Sequence, residues 1–392
     1  MSFARRPLPY LLAGGLCLVL VAGLVIWLAT KGDPQRTPPE TFPGASEPGD
    51  LVSVGPPVGK QNVKGFETRR IVYLTQDREG KVREASALVM AATDGAVKTQ
   101  PILAFAHGTT GIAESCAPSE DLDRLQFAAN TLVAMAQQGT VVVAPDYAGL
   151  GTPGPHGFLV GKAAAQDMLN AIRATRQMPD LQVSKKALVW GQSQGAHAAL
   201  WTGMLAPDYA PDIKLLGVAA TAPPTDLLKT FDYTQDTSAQ RRLWAYLLDS
   251  WRQVYPDSGL WDEVDPSNRE LIEKIGDRCG NQGLNGMEKQ LKAPVLPALE
   301  PGTTFYKLVE ENLPDGKIEA PVRVSQGGSD EVVPVASQRA WVQRRCAAGQ
   351  AIDYREYPNA THVGIAYAEV TDVIKWLIDR LEGKPAASSC PQ

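Results

Sequence analysis

The sequence feature that most constrains the fold is a serine between two glycines at residues 191–195. The pentapeptide GQSQG follows an apolar, β-prone run and precedes an alanine-rich, helix-prone run. A G-x-S-x-G sequence between a strand and a helix is typical of a sharp turn that exposes the serine hydroxyl. Side chains in place of Gly191 and Gly195 would crowd this turn. The pattern therefore predicts a strand, a tight turn that carries Ser193, and a helix, in that order.

Alternating strand and helix patterns on both sides of this turn predict a mostly parallel α/β sheet flanked by helices. The runs at 101–106, 140–145 and 213–220 are continuously apolar, as expected of strands buried on both faces. Alternating apolar and polar residues predict a hairpin over 66–76 and 84–93 at one edge of the sheet. The same patterns predict two later strands, at 322–326 and 351–357. They also predict four helices, at 122–138, 161–178, 336–346 and 366–381.

The strand–helix alternation stops between about residues 228 and 318. This stretch has a helical pattern and is rich in aromatic residues, among them Trp244 and Trp251. In open α/β sheets, ligands bind at the carboxyl ends of the strands, so we predict an inserted helical cap over that edge. The folded domain is accordingly predicted over 61–385, with a C-terminal tail at 386–392.

The N-terminal part of the chain predicts a membrane segment. Residues 8–30 carry no charge and follow Arg5 and Arg6. Their length matches the ~20 residues of a membrane-spanning helix and exceeds the apolar core of about 7–15 residues in a signal peptide. We predict a signal anchor with residues 1–7 in the cytoplasm and the rest outside; cleavage and secretion is the alternative. Residues 31–60, rich in Pro, Gly, Thr and Ser, are predicted to be a flexible linker.

The composition argues against several classes of protein. The formal net charge is −5, so the chain has no excess of positive charge for binding nucleic acid. No C-x-x-C pair, H-E-x-x-H motif or EF-hand loop is present, nor a phosphate-binding loop or a dinucleotide fingerprint after a strand. We therefore predict no metal, no organic cofactor and no nucleic-acid partner.

A serine hydroxyl needs a neighbouring base before it can act as a nucleophile at neutral pH. The chain has four histidines, and two of them follow Ser193. The order serine, acid, histidine accompanies this kind of turn, and it favours His362, in the loop between the last predicted strand and helix. His197, one turn along the helix after the serine, is expected to pack or hydrogen-bond elsewhere. His107 is expected to shape a loop, and His156 receives no role.

The acid is expected between the serine and the histidine, after a strand. Asp330 follows the predicted strand at 322–326 and is favoured; it would set the imidazole tautomer and stabilise the imidazolium. Glu331 is the neighbouring competitor, and either carboxylate could instead cap the following helix. A supporting role for Glu331 is also left open.

An oxyanion hole needs N–H donors that point at one oxygen. One donor is expected to be the backbone N–H of Gln194, the residue after the serine. The other is expected from the loop after the strand at 101–106, where the sequence reads HGTTG and Thr109 is the favoured donor. The loop at 146–151 is predicted to form the adjoining floor.

Several segments, taken in order, resemble the α/β-hydrolase superfamily, and more closely its secretory lipase family. The resemblance spans most of residues 60–385 and implies the α/β-hydrolase fold and a triad of Ser193, Asp330 and His362. The segments that carry it are HGTTG with ESCAPS at 107–118, DYAGLG at 146–151, GQSQGAHAAL at 191–200, ATAPPTDL at 220–227, GGSDEVVP at 327–334 and THVG around His362.

The same resemblance implies how four cysteines pair. Cys116 would join Cys279, and Cys346 would join Cys390. Four cysteines allow three connectivities, so the sequence alone does not select this one. Disulfides agree with a location outside the cytoplasm. Cys17 lies within the apolar N-terminal segment and is not counted.

These features together predict a serine carboxylic-ester hydrolase, a lipase or esterase that acts on hydrophobic esters through an acyl-enzyme. A peptidase or an acyltransferase would use the same machinery and is the first alternative. A domain that binds but does not catalyse is the second. The ordered serine, acid and histidine favour the enzyme.

Overall fold

The computed structural model describes residues 38–58, 65–93, 99–126, 128–232, 236–280 and 282–391. The predicted tail at 1–7 and membrane segment at 8–30 lie outside these ranges. Within the ranges, no helix is both long and apolar enough to cross a bilayer. The chain divides into two units, Met1–Pro39 and Glu40–Gln392, and every element below belongs to the second.

The described residues form a mixed sheet in the order β1-β2-β3-β4-β6-β5-β7-β8-β9-β10. Its strands are β1 (Glu40–Thr41), β2 (Leu51–Pro57), β3 (Phe66–Gln76), β4 (Val82–Ala92), β5 (Gln100–Ala106), β6 (Val141–Pro145), β7 (Val183–Gln192), β8 (Lys214–Thr221), β9 (Val322–Gly327) and β10 (Ile352–Tyr357). Strands β1 to β4 pair antiparallel, and β4 pairs antiparallel with β6. The pairs from β6 through β10 are parallel, so their carboxyl ends share one edge.

The prediction of a flexible linker over 31–60 was wrong for the described residues 38–58. These residues form β1 and β2, and β2 adds to the edge of the hairpin through pairs such as Leu51 with Tyr73. Leu51 is buried, and its backbone N–H donates to Gln177 Oε1 at 3.1 Å. A composition rich in Pro and Gly does not reveal this pairing, because it depends on the following strand β3 and on Gln177, which is 126 residues from Leu51 in the chain.

Eleven α-helices lie within the described residues. They are α1 (Ala129–Gln137), α2 (Gly161–Thr175), α3 (Gln194–Tyr209), α4 (Leu227–Asp232), α5 (Ser238–Val254), α6 (Leu260–Glu263), α7 (Pro266–Gly276), α8 (Thr304–Glu311), α9 (Val335–Ala347), α10 (Ile365–Ala368) and α11 (Val370–Leu381). Two predicted helices are each divided. The one at 122–138 begins as a 3₁₀ turn, Leu122–Leu125, before α1, and the one at 366–381 breaks at Glu369 between α10 and α11.

The central strands are buried on both faces, as the continuous apolar runs predict. In β5, Ile102 and Ala104 belong to one apolar core, while Leu103 and Phe105 belong to the other. Helices α2, α3 and α9 contribute side chains to the first core, and α1 and α11 contribute to the second. The sheet is therefore a rigid layer between helices, and its carboxyl edge can hold loops in place.

The insertion between β8 and β9 holds helices α4 to α8, and its apolar core also includes Ile112 and the segment 158–160 before α2. Helix α5 begins with a capping box, in which the Thr237 hydroxyl accepts from the backbone N–H of Gln240. Trp251 of α5 is fully buried and packs against Phe305 of α8, with ring centroids 6.0 Å apart. This insertion is the region that the sequence predicts as a cap over 228–318.

Candidate active site

Ser193 lies in a sharp turn between β7 and α3. Its φ is +54° and its ψ is −120°, a conformation that residues other than glycine seldom adopt. The turn is held from the neighbouring strand, because the Ser193 N–H donates to the Thr221 carbonyl at 2.9 Å. The Thr221 hydroxyl in turn accepts from Trp190 Nε1 at 3.0 Å and donates to the buried carboxylate of Glu369. The strained serine is thus anchored to the rigid sheet.

The two glycines beside the serine are required by close backbone contacts. A Cβ atom on Gly191 would lie 2.1 Å from the carbonyl oxygen of Gly195. A Cβ atom on Gly195 would lie 1.9 Å from the carbonyl oxygen of Ala106. Both distances are far inside van der Waals contact, so no other residue fits without moving the backbone. This is the crowding that the G-x-S-x-G pattern predicts.

The structure brings Ser193, His362 and Asp330 together in a hydrogen-bonded line. Ser193 Oγ lies 2.8 Å from His362 Nε2. His362 Nδ1 lies 2.9 Å from Asp330 Oδ2 and 3.1 Å from Oδ1. An N–H on Nδ1 that donates to the carboxylate leaves the Nε2 lone pair free to accept the serine proton. The arrangement has the geometry of a nucleophile, a base and the group that orients the base.

The carboxylate of Asp330 is fully buried and has hydrogen bonds to both oxygens. Oδ1 accepts from the backbone N–H groups of Val332 and Val333, at 2.9 and 2.7 Å. Oδ2 accepts from Gln326 Nε2 at 3.0 Å. These donors hold the carboxylate against the imidazole.

Glu331, the competing acid, faces a different part of the same loop. Its Oε2 accepts from the backbone N–H of His362 at 3.1 Å. It therefore contacts the main chain of the histidine loop, whereas Asp330 contacts the ring. The sequence favoured Asp330 and left a supporting role for Glu331 open, and it contained no signal for the contact between Gln326 and Asp330.

The two residues predicted for the oxyanion hole line one small cavity with the serine. The cavity has a volume of about 50 Å³ and contacts Thr109, Ser193 and Gln194. Gln194 is the first residue of α3, and the first N–H groups of a helix have no partner within it. The rest of the lining is largely apolar and comes mainly from the loop before α2 and from the cap, including Phe158, Leu159, Pro224, Leu227, Phe231, Leu243 and Trp244.

The structure places His107 and His197 in contacts away from the Ser193 hydroxyl. The ring of His107 lies between two backbone carbonyls, with Nδ1 2.6 Å from Gly108 O and Nε2 3.2 Å from Asp146 O. His197 Nε2 donates to the Asn312 carbonyl at 2.7 Å, which links α3 to the end of α8. Burial lowers the pKa of His107 and lowers that of His197 to about 4. The ring of His197 is therefore neutral at pH 7.

His156, which received no role from the sequence, contacts the residue after the serine. Its Nε2 lies 3.0 Å from Gln194 Nε2, and its Nδ1 lies 3.4 Å from Ala148 O. Burial lowers the pKa of His156 to about 3, so the ring is neutral at pH 7. In the tautomer that suits both contacts, Nδ1–H donates to Ala148 and Nε2 accepts from the Gln194 amide.

The loop at 146–151, predicted as the floor of the site, is held by two buried carboxylates. Asp146 Oδ2 accepts from Ser86 Oγ at 2.6 Å, and Asp167 Oδ2 accepts from the backbone N–H of Ala148 at 2.9 Å. Burial is the main cause that raises the pKa of each carboxylate to about 6. The loop is therefore fixed by contacts with Ser86 and Asp167, which lie outside its own sequence.

Two disulfides hold the surroundings of the site. Cys116 is bonded to Cys279, and Cys346 to Cys390, the pairs that the resemblance implies. Cys279 also forms an isolated backbone bridge with Gly111, two residues after Thr109. The predicted oxyanion loop is therefore tied to the cap. Among the described residues, no group of three or more His, Cys, Asp or Glu side chains is placed to hold a metal ion.

Comparison with solved structures defines the class of fold. The structure is similar to the X-ray structure of Candida antarctica lipase A, with a TM-score of 0.73 and 19% sequence identity. The similarity covers 88% of this chain and 84% of that one. A family model described as secretory lipase matches residues 121–389, more than half of the sequence. The chain belongs to the secretory lipase family, which confirms the resemblance read from its motifs.

Curated relatives agree with this assignment. Lipase 9 of Candida albicans is 28% identical over 308 residues, a match that covers 70% of this chain and 65% of that protein. The chain thus spans slightly less than two thirds of the length of that relative. Lipase 5 of the same organism is 26% identical over 409 residues, covering 95% of this chain and 85% of that protein.

Proposed function

We propose that this chain is a serine carboxylic-ester hydrolase that cleaves hydrophobic esters through an acyl-enzyme. The observation that carries the proposal is the 2.8 Å contact between Ser193 Oγ and His362 Nε2, in a ring whose Nδ1 is paired with Asp330. Membership of the secretory lipase family supports the same activity. The mechanism needs no group beyond these side chains and the backbone.

In the first half of the reaction, Ser193 Oγ attacks the ester carbonyl carbon and its proton passes to His362 Nε2. The carbonyl π electrons move to the oxygen, which becomes an oxyanion that accepts from the N–H groups of Gln194 and Thr109. When the carbonyl re-forms, the bond to the alcohol breaks. His362 returns its proton to the leaving alcohol oxygen, and the acyl group stays on the serine. The ionised Asp330 stabilises the imidazolium throughout.

In the second half, water replaces the alcohol. His362 Nε2 takes a proton from the water while its oxygen attacks the acyl carbon. The second oxyanion accepts hydrogen bonds from the same two N–H groups. Its collapse breaks the bond to Ser193 Oγ, which regains a proton from His362, and the carboxylic acid leaves. The free enzyme is restored without an external acid or base.

The cavity beside Ser193 supports the choice of a hydrophobic substrate. Most of its lining is apolar and comes mainly from the cap and the loop before α2. Burial of acyl methylene groups there would contribute about 0.8 kcal/mol for each CH₂. An acyl group on the serine would therefore be bound chiefly by apolar contact.

A fluorophosphonate probe is expected to label the protein, and peptide mapping is expected to place the label on Ser193. The reagent forms a stable bond only with an activated serine, so labelling separates an enzyme from a binding domain. Turnover of p-nitrophenyl esters of increasing acyl length, with and without an added alcohol, then separates hydrolysis from acyl transfer. Cleavage of peptides without cleavage of esters would point to a peptidase. Absence of labelling in folded protein would contradict the proposed function.

We also propose that the enzyme is anchored to a membrane, independently of its activity. Residues 8–30 would hold the enzyme on the outer side of the cytoplasmic membrane, and secretion after cleavage is the other outcome. Mass spectrometry of the N-terminus of the mature protein distinguishes them. A mature chain that begins near residue 31 would contradict the anchor and leave the proposed activity unchanged.

A further inference from the structure

Among the described residues, the side chain of Gln194 at the start of helix α3 has one hydrogen-bond partner, His156. Gln194 is only 5% exposed, and its Nε2 lies 3.0 Å from His156 Nε2. Its Oε1 is buried without a hydrogen-bond partner among the described residues. The orientation of this side chain therefore depends on the contact with His156.

Gln194 shares a peptide plane with the Ser193 carbonyl, which accepts from the backbone N–H groups of Ala196 and His197 at 2.9 and 3.1 Å. It follows Ser193, whose φ of +54° is held in a strained region. Its N–H is in the first turn of α3, where helix geometry provides no partner. The same N–H is the donor that the proposed mechanism directs at the oxyanion. A contact that fixes the Gln194 side chain adds to these restraints on the direction of this N–H.

His156 is itself fixed by several different parts of the structure. Its ring stacks on Tyr147 at a centroid distance of 5.7 Å, and its Nδ1 faces the Ala148 carbonyl. Its backbone carbonyl accepts from Ser250 Oγ of the cap helix α5 at 2.6 Å. The Tyr147 hydroxyl donates to the His107 carbonyl at 3.1 Å, at the start of the predicted oxyanion loop. His156 thus joins the cap, the 146–151 loop and the serine turn.

We propose that His156 is a positioning residue for the oxyanion hole. Its Nε2 accepts from the side-chain amide of Gln194 and thereby holds the Gln194 N–H towards the cavity beside Ser193. His156 does not touch the substrate and acts only through Gln194. This inference rests on the proposed ester hydrolysis. Because Ser250 of α5 bonds the backbone of His156, the packing of α5 also affects the direction of the oxyanion-hole N–H group.

The decisive variant is His156→Phe, which keeps a planar ring and removes the acceptor. Its kcat for a short p-nitrophenyl ester is expected to fall about 10- to 100-fold, the effect of a small misplacement of a catalytic group. KM is expected to change little, because the hole acts on the transition state more than on the bound ester. His156→Gln places an amide oxygen near the position of Nε2 and so restores an acceptor. Its kcat is expected to be close to that of the parent and well above that of His156→Phe.

His197→Phe is the matched control. His197 is another buried histidine that bonds a neighbour through Nε2, and it lies on the same helix as Gln194. Its loss is expected to lower the melting temperature while kcat stays near wild type. A fall in kcat for His156→Phe but not for His197→Phe therefore separates positioning from a general loss of packing.

A double-mutant cycle tests whether His156 acts through Gln194. Gln194→Leu keeps the backbone N–H and removes the amide, so it is expected to lower kcat about as much as His156→Phe. The double variant is expected to lose no more than either single variant, because both remove the same contact. If His156→Phe does not fold, Gln194→Leu alone decides, and a wild-type kcat for it overturns the proposal.

The failure of this proposal is distinguishable from failure of the proposed function. Equal kcat for His156→Phe and His197→Phe, in an enzyme that Ser193→Ala inactivates, would overturn the role of His156 only. Additive losses in the double-mutant cycle would do the same. Full activity of Ser193→Ala would instead overturn the ester-hydrolase mechanism on which the role rests.

Discussion

Replacing Ser193 with alanine is expected to lower kcat for p-nitrophenyl esters by about 10⁶-fold, the usual consequence of losing the nucleophile of such a triad. The hydroxyl is the atom that attacks the carbonyl, and no neighbouring side chain can replace it at 2.8 Å from His362 Nε2. The smaller side chain fits the turn, so stability should be close to that of the parent. The measurements are steady-state turnover and a thermal melt.

Ser184→Ala is the control for this variant. Ser184 is on the same strand β7, and its hydroxyl accepts from the local N–H of Lys186. Its activity is expected to remain within about twofold of the parent, as for most surface substitutions. Substantial ester hydrolysis by folded Ser193→Ala would mean that another residue is the nucleophile.

Replacing Asp330 with asparagine is expected to lower kcat by about 10⁴-fold, the effect of losing the acid that sets the imidazole tautomer. An asparagine can present its NH₂ group to His362 Nδ1, which favours a proton on Nε2. That nitrogen then cannot accept from Ser193. The amide also removes the negative charge that stabilises the imidazolium. Turnover and the rate of fluorophosphonate labelling should fall together.

Glu331→Gln is the matched control, because it makes the same chemical change one residue away. A glutamine oxygen can still accept from the His362 N–H, which Glu331 Oε2 does at 3.1 Å. Loss of charge at this one hydrogen bond is expected to lower kcat by less than about tenfold. If Glu331→Gln were as inactive as Asp330→Asn, the acid would have been assigned to the wrong neighbour.

Much of the fold follows from local sequence patterns. Strand β3, for example, has the bounds that apolar alternation predicts, Phe66–Gln76, because strand side chains alternate faces along the chain itself. The strand and helix around the G-x-S-x-G turn are equally local. Within the turn, Gly191 is required by its contact with Gly195, whereas Gly195 is required by the carbonyl of Ala106 on another strand. Strand β2 was missed for the opposite reason. Its position depends on pairing with the hairpin that follows it and on the distant Gln177, and not on its own composition.

Some features of the candidate site also follow from local sequence, whereas others depend on the tertiary structure. The sequence by itself determined the serine turn and the order in which an acid and a histidine follow it. Only the tertiary structure decided between Asp330 and Glu331, because the path of the loop sets which of two adjacent carboxylates meets the ring. The tertiary structure alone also joined His156 to Gln194, 38 residues apart in the chain. Contacts of this kind depend on packing between separate elements, and no spacing within one segment encodes them.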